Sequence, residues 1–261
     1  MRTFFPLPRG TILLLAAAAL AGVPRPVRGQ TVNYFLREGG RALAEARFPD
    51  ALEVFGAGLR QARKDGDRRG EGVFLARIGD VRRALGECMP ALSYYEPALD
   101  ILREVRNTGE EAAALAGMGA VHLAMGDPRR ALRRYEEALA IHRRENRRAA
   151  EGRITGEIGG VLAEMEDFPG ALASFGNALA MLRACGDPRD EVRIRLASAD
   201  VRRRLGDYER ALADAGEARA AARKAADRAA ETDILSALAV LHADLGAYEE
   251  AAADLRQALA I

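Results

Sequence analysis

The feature that most constrains this 261-residue chain is a self-similarity with a period of 40 residues. Stepping by 40 gives Ala51, Ala91, Ala131, Ala171, Ala211 and Ala251, and the next column gives Leu52, Leu92, Leu132, Leu172, Leu212 and Ala252. Three further columns keep the step: Leu85, Met125, Met165, Leu205 and Leu245; Glu71, Glu111, Glu151, Glu191 and Glu231; and Arg63, Arg103, Arg143, Arg183 and Arg223. Recurrence over six units without an insertion predicts an array of one supersecondary unit, not a globule of unlike elements.

Each unit reads as two helices. In the third, a first helix from about Glu110 to Met125 places Leu115, Met118, His122 and Met125 at three- and four-residue spacing, and Gly126-Asp127-Pro128 ends it. Pro128 suits a first helical turn, where its missing amide hydrogen would be unpaired anyway, and Asp127 can cap that turn. Leu132, Tyr135, Leu139 and His142 then form the apolar stripe of the second helix. Sustained two-residue alternation and Asn-Gly hairpin turns are absent, so no strands are expected. One such hairpin cannot hide its stripe alone, and neighbours must stack.

At this level of detail the repeat resembles the tetratricopeptide repeat. Gly79, Ala91, Tyr95 and Ala98 in the second unit, Gly119, Ala131, Tyr135 and Ala138 in the third, and Gly159, Ala171, Phe175 and Ala178 in the fourth carry the likeness. It covers residues 31–261 and weakens at the ends: Gly58 replaces an alanine in unit one, Ala199 and Ala215 replace glycine and aromatic in unit five, and Ala239 and Leu255 do so in unit six. Members usually repeat every 34 residues with a proline closing the second helix. Here the arginine series Arg63 to Arg223 stands in that column, a longer type similar to the arrays of kinesin light chains and of bacterial proteins with a caspase-like CHAT domain. HEAT repeats share the period but fit the glycine, alanine and aromatic columns less well.

The resemblance implies an all-α, right-handed superhelical solenoid of six helix-turn-helix repeats, over about residues 31–70, 71–110, 111–150, 151–190, 191–230 and 231–261. It also implies a concave wall lined by first helices. The inward-facing columns name Asp80, Arg83, Arg153, Arg193, Asp200, Arg203 and Arg204 as candidate protein-binding residues, and Asp80-Val81-Arg82-Arg83 is echoed by Asp200-Val201-Arg202-Arg203. Arginines there could take a peptide carboxylate by bidentate hydrogen bonds, or could simply solvate a helix face beside Asp and Glu. The carboxylate clamp of chaperone-binding members does not transfer: its asparagine column reads Gly40, Asp80, Ala120, Gly160, Asp200 and Val240.

Residues 1–29 differ from the rest. Arg2 and Arg9 precede an uncharged apolar run from Thr11 to Val23, which would span roughly 20 Å as a helix, short of the ~30 Å hydrocarbon core. A secretory signal peptide cleaved after Gly29 is the preferred reading, and an uncleaved anchor is the alternative, favoured by Arg25 and Arg28 beyond the run. The expected destination is the periplasm or the extracellular medium. With four arginines in that segment, the remainder holds 35 basic and 38 acidic residues, a poor composition for general nucleic-acid binding.

No catalytic constellation emerges: P-loop, dinucleotide fingerprint, nucleophile elbow and zinc-protease helix are all missing, and Glu136-Glu137 and Glu249-Glu250 diverge on their helices. His122, His142 and His242 lie too far apart for a zinc site. Cys88 and Cys185 fall two units apart, so no intrachain disulfide, metal or cofactor is expected. Pro97 inside a second helix predicts a kink. The expected function is a non-catalytic, exported scaffold for a protein or peptide. Two alternatives remain. The chain may be read as the recognition part of a larger CHAT-type protease, since an apolar face around Ala251, Leu255 and Leu259 closes it, or as an oligomer pairing through that last repeat.

Overall fold

The computed structural model describes residues 28–185 and 188–261, and these form twelve α-helices without a strand. They fall into six hairpins: α1 (Arg28–Ala44) with α2 (Phe48–Asp65), α3 (Arg68–Ala84) with α4 (Cys88–Glu104), and α5 (Thr108–Ala124) with α6 (Pro128–Arg144). The series continues with α7 (Arg148–Glu164) and α8 (Phe168–Cys185), α9 (Pro188–Arg204) and α10 (Tyr208–Lys224), and α11 (Arg228–Asp244) and α12 (Tyr248–Ala260). Each hairpin opens about three residues before the boundary set from the sequence. The leader expected over 1–29 lies, up to residue 27, outside the described residues.

The turns explain the regularity. Ala46, Gly66, Gly86, Arg106, Gly126, Asn146, Glu166, Gly206, Ala226 and Gly246 all have positive φ, between 52° and 76°, so nearly every helix ends in one left-handed residue. The backbone therefore repeats every 20 residues although the sequence repeats every 40, because the turn within a hairpin and the turn between hairpins share one geometry. The residue after the left-handed one reaches back, as when the Glu87 amide donates to the Arg82 carbonyl (2.9 Å). Asp67, Asp127, Asp207 and Asp227 then cap the following helices by accepting from backbone amides, Asp127 from Arg130 at 3.0 Å.

Within a hairpin, a glycine on the first helix faces an aromatic on the second. A Cβ added to Gly39, Gly79, Gly119 or Gly159 would lie 2.4, 2.9, 3.0 and 2.7 Å from the rings of Phe55, Tyr95, Tyr135 and Phe175, respectively. The four rings are almost wholly buried. In unit five the pair becomes Ala199 with Ala215, both buried. There a methyl replaces hydrogen where the ring has gone.

Two recurring sequence columns meet across unit junctions. Arg63 pairs with Glu71 (2.9 Å), Arg103 with Glu111 (3.0 Å), Arg143 with Glu151 (3.1 Å), Arg183 with Glu191 (3.6 Å) and Arg223 with Glu231 (2.6 Å). Each joins the last turn of a second helix to the first turn of the next unit, with the signs that the helix dipoles favour. The arginine that stands where the family closes with proline is thus half of an inter-unit stitch.

Two expectations need correction. Met125, placed on the apolar stripe, is exposed, as are Leu85, Met165, Leu205 and Leu245, all between 39% and 52%. They follow the last helical turn, where the left-handed residue swings the chain away from the core. Secondly, Ala251 is buried, so of the expected closing face only Leu255 and Leu259 are exposed. Pro97 lies within α4, whose helix spans it.

First helices of successive units touch one another at α1–α3, α3–α5, α7–α9 and α9–α11, whereas no pair of second helices packs to a comparable extent. Elements that stack more closely lie on the inside of a curve. The first helices therefore line the inner wall of the solenoid, where the sequence columns place them.

Candidate functional site: the inner wall

The charged residues named from the sequence all lie on first helices, α3, α7 and α9, but most are already engaged. Arg153 reaches Asp190 (3.7 Å), and Arg193 reaches Glu157 (2.5 Å) and Asp190 (3.6 Å), tying α7 to α9. Arg204 turns away from the wall: it lies 4.7 Å from the Phe168 ring centroid and donates to the Ala163 carbonyl (3.4 Å), both in unit four. Its surroundings are those of a structural brace.

The two Asp-Val-Arg-Arg stretches diverge once packed. In unit two, the Tyr95 hydroxyl donates to Asp80 (2.7 Å), and Arg77 donates to Asp80 (2.9 Å) and to Glu110 of α5 (2.7 Å). In unit five the position of Tyr95 is Ala215, and Asp200 pairs with Arg203 (2.9 Å), which extends to Asp244 of α11 (3.2 Å). Arg83, the counterpart of Arg203, is exposed and has no carboxylate within 4.0 Å among the described residues. It lies near enough to Tyr95, Asp80 and Tyr135 to sense all three.

Sequence reasoning missed Tyr135 as a wall residue, because it was absorbed into the aromatic packing column. Its ring is buried, yet its hydroxyl has no hydrogen-bond partner among the described residues. Burial raises its phenol above the ordinary range, the charge of Glu157 adds to this, and Arg83 and Arg193 oppose it. The signal was available: tyrosine instead of phenylalanine at 95 and 135, with the Asp80 column reading Ala120 one period later.

Towards the N-terminal ends of α1, α3 and α5 the wall opens into a cleft of about 420 Å³, lined by Val32, Asn33, Leu36, Arg69, Val73 and Asn107 among others. Its floor is aliphatic and its rim mixes amide and guanidinium groups with the carboxylates of Asp67 and Glu110, a lining suited to an extended peptide.

The histidines do not join this wall. His122 and His142 are buried, with Nδ1 atoms that lack a partner, and burial lowers both pKa values, with Arg134 and Arg147 adding, respectively. His242 instead bonds Asp254 through Nδ1 (2.8 Å). Among the described residues no group of three metal-ligating side chains gathers, Cys88 is a free thiol, and no helix is long and apolar enough to cross a membrane.

The chain's relatives are visible at this level. No curated protein sequence matches it. Solved structures do, as folds: BtubC (BKLC) from P. vanneervenii, at 17% identity and TM-score 0.65, covers 87% of this chain and 89% of its own. A Rap protein complexed with competence and sporulation factor is similar at 13% identity and TM-score 0.72, over 97% of this chain and 80% of its own. A putative kinesin light chain from Podospora anserina, with nearly identical TPR-like repeats, matches at 13% identity and TM-score 0.60, over 78% and 99%. Family models described as tetratricopeptide repeat match residues 73–144 and 232–261, within the regular centre and at the last hairpin of the array. Those two stretches thus carry the tetratricopeptide-repeat signature, and the hairpins between them are built on the same backbone repeat.

Proposed function

We propose that this protein is a non-catalytic adaptor, exported from the cytoplasm, that takes a protein or peptide segment along its inner wall. The carrying observation is that wall: first helices that touch at four of the five unit junctions, a mixed cleft at the N-terminal ends of α1, α3 and α5, and a middle stretch on α5 where Ala113, Ala116, Ala120 and Ala124 leave room for a main chain. The Rap structure, solved as a complex with competence and sporulation factor, supports the reading by fold alone. Export rests on the apolar run from Thr11 to Val23 behind Arg2 and Arg9.

The test is site-specific cross-linking from the full chain in its source cells. A benzophenone amino acid at Ala116, on the inner wall, is expected to give discrete protein or peptide adducts in the cell envelope fraction. The same group at Glu136, exposed on a second helix, should not. Equal yields at both positions, or none at Ala116, would count against the reading, and adducts confined to the cytoplasm would count against export.

A further inference from the structure

Two donors face the inner wall around α5 without a carboxylate partner among the described residues, Arg83 having the Tyr95 hydroxyl beside it, and the internal repeat shows what each one lacks. In unit two the Tyr95 hydroxyl donates to Asp80 (2.7 Å). One period later the position of Asp80 is Ala120, and the Tyr135 hydroxyl has no hydrogen-bond partner among the described residues. In unit five Arg203 is held by Asp200 (2.9 Å) and by Asp244 of the next unit (3.2 Å). For Arg83, the counterpart of Asp244 is Ala124, while Asp80 is already taken by Arg77 and Tyr95. Both replacing alanines lie on α5, four residues and so about one helical turn apart.

We infer that the alanine face of α5 is a binding site for a ligand carboxylate, held by the Arg83 guanidinium and the Tyr135 hydroxyl. It deepens the peptide-binding reading, on which it rests, by naming the ligand chemistry: an acidic side chain or a free C-terminus on an extended peptide. A carboxylate there would do for Tyr135 what Asp80 does for Tyr95, and for Arg83 what Asp244 does for Arg203. Both bonds would be charge-assisted, the stronger class of hydrogen bond.

The surrounding charges permit this. Glu157, the carboxylate that faces Tyr135 from α7, is ion-paired with Arg193 (2.5 Å), and Glu110 is ion-paired with Arg77 (2.7 Å). Burial keeps the Tyr135 phenol protonated across the physiological range, so it remains a donor. The site differs from the asparagine-based clamp excluded above, since its donors are an arginine of one unit and an aromatic hydroxyl of the next.

The test uses the full chain labelled uniformly with nitrogen-15 and with carbon-13 at the tyrosine ring carbon that bears oxygen, the Tyr135 resonance being assigned by its loss in Tyr135→Phe. Three probes are titrated: acetyl-Gly-Glu-Gly-amide, with only a side-chain carboxylate; acetyl-Gly-Gly-Ala, with only a terminal one; and acetyl-Gly-Gln-Gly-amide, with neither. The Tyr135 resonance should shift and saturate with at least one acid, and which acid does so identifies the source of the carboxylate. The amide should leave it in place. Arg83→Gln, a change at an exposed residue, should weaken the effect about ten- to a hundredfold. Ala120→Asp should abolish it by supplying the carboxylate internally. A Tyr135 resonance unmoved by both acids in a chain with intact helical circular dichroism would overturn the site, as would an equal response to the amide. Shifts confined to the backbone amides of Ala113 and Ala116 would also sink the carboxylate site while leaving peptide binding in place, and cross-linking at Ala116 judges that broader reading on its own.

Discussion

Units two and five share the tetrapeptide Asp-Val-Arg-Arg at the same place in the hairpin, yet they are held together in different ways. In unit two a wholly buried Tyr95 fills the gap between helices, and its hydroxyl ends on Asp80. Unit five has Ala215 there, and polar groups do the bridging. Arg195, 4% exposed, pairs with Glu191 (2.8 Å) and Glu217 (2.6 Å), while Ser198 and Arg202 both donate to Asp214 (2.6 and 2.9 Å). The lesson is that the repeat backbone does not depend on one kind of interior. Helix length, left-handed turns and the arginine–glutamate stitch keep the phase, and the space inside is filled by whatever matches its volume and satisfies its polar atoms.

The largest break in this comparison is expected from Tyr95→Ala. It removes a buried aromatic and leaves Asp80 without its hydroxyl donor, which should cost about 3–5 kcal/mol, read as a lower urea midpoint. Its unit-five counterpart, Ala215→Gly, should cost only about 1 kcal/mol. Comparable losses from the two would mean that the aromatic column is not what distinguishes the units.

A smaller effect sharpens the volume argument. Ala215→Phe alone should overpack unit five against Ala199, by about 1–3 kcal/mol. Adding Ala199→Gly recreates the glycine and aromatic of the other units and should recover a part, with a coupling energy of about 1 kcal/mol in a double-mutant cycle. Additive losses would show that the polar network, and not the missing hydrogen for methyl exchange, excludes a ring there.

Acid probes unit three. His122 and His142 have unpartnered, buried Nδ1 atoms, whereas His242 has Asp254. Burial lowers the pKa values of His122 and His142 below the ordinary 6.5. As pH falls from there, the unfolded chain takes up the protons first, so stability must decline until the folded values are passed. Thermal melts between pH 7 and 5 should show this slope, and His122→Gln with His142→Gln should flatten it.

The smallest effect belongs to the stitch that all units share. Glu71→Gln should cost about 0.2–1 kcal/mol and cost less still in 1 M salt. Burial raises the Glu71 pKa, but hydrogen bonds from Arg63 and Arg68 outweigh it, so the net shift is downward from 4.5. The pair's contribution is therefore present above that value and lost as pH falls through the lowered one, a window distinct from that of the histidines. A midpoint in Glu71→Gln that is unchanged at low salt would mean the recurrence of these columns has another cause.

Much of this fold was legible. The period, the hairpin grammar, the Asp127 cap and the Pro128 start depend on residues within one or two turns of each other, and the glycine opposite each aromatic follows from a fixed offset within one unit. The candidate wall was legible only as columns. Arg204 and Arg83 come from adjacent columns at the end of a first helix, yet one braces Phe168 and the other has no carboxylate partner. The exposed Leu85 to Leu245 column was misread because three- and four-residue spacing says nothing about where a left-handed turn cuts the stripe short.

What the amino-acid order determined alone was the backbone: helix lengths, turn positions and the stacking of like on like, since these arise from local propensities repeated in phase. The fate of identical side chains was decided only in the assembled array. Asp80 and Asp200 sit in the same tetrapeptide, but the partners that define them, Tyr95 for one and Arg203, with its reach to Asp244, for the other, depend on what the facing helices present. A charge is satisfied by what lies within about 3 Å, and in this solenoid that neighbour is a residue 15 positions away for Asp80 and 41 away for Arg203.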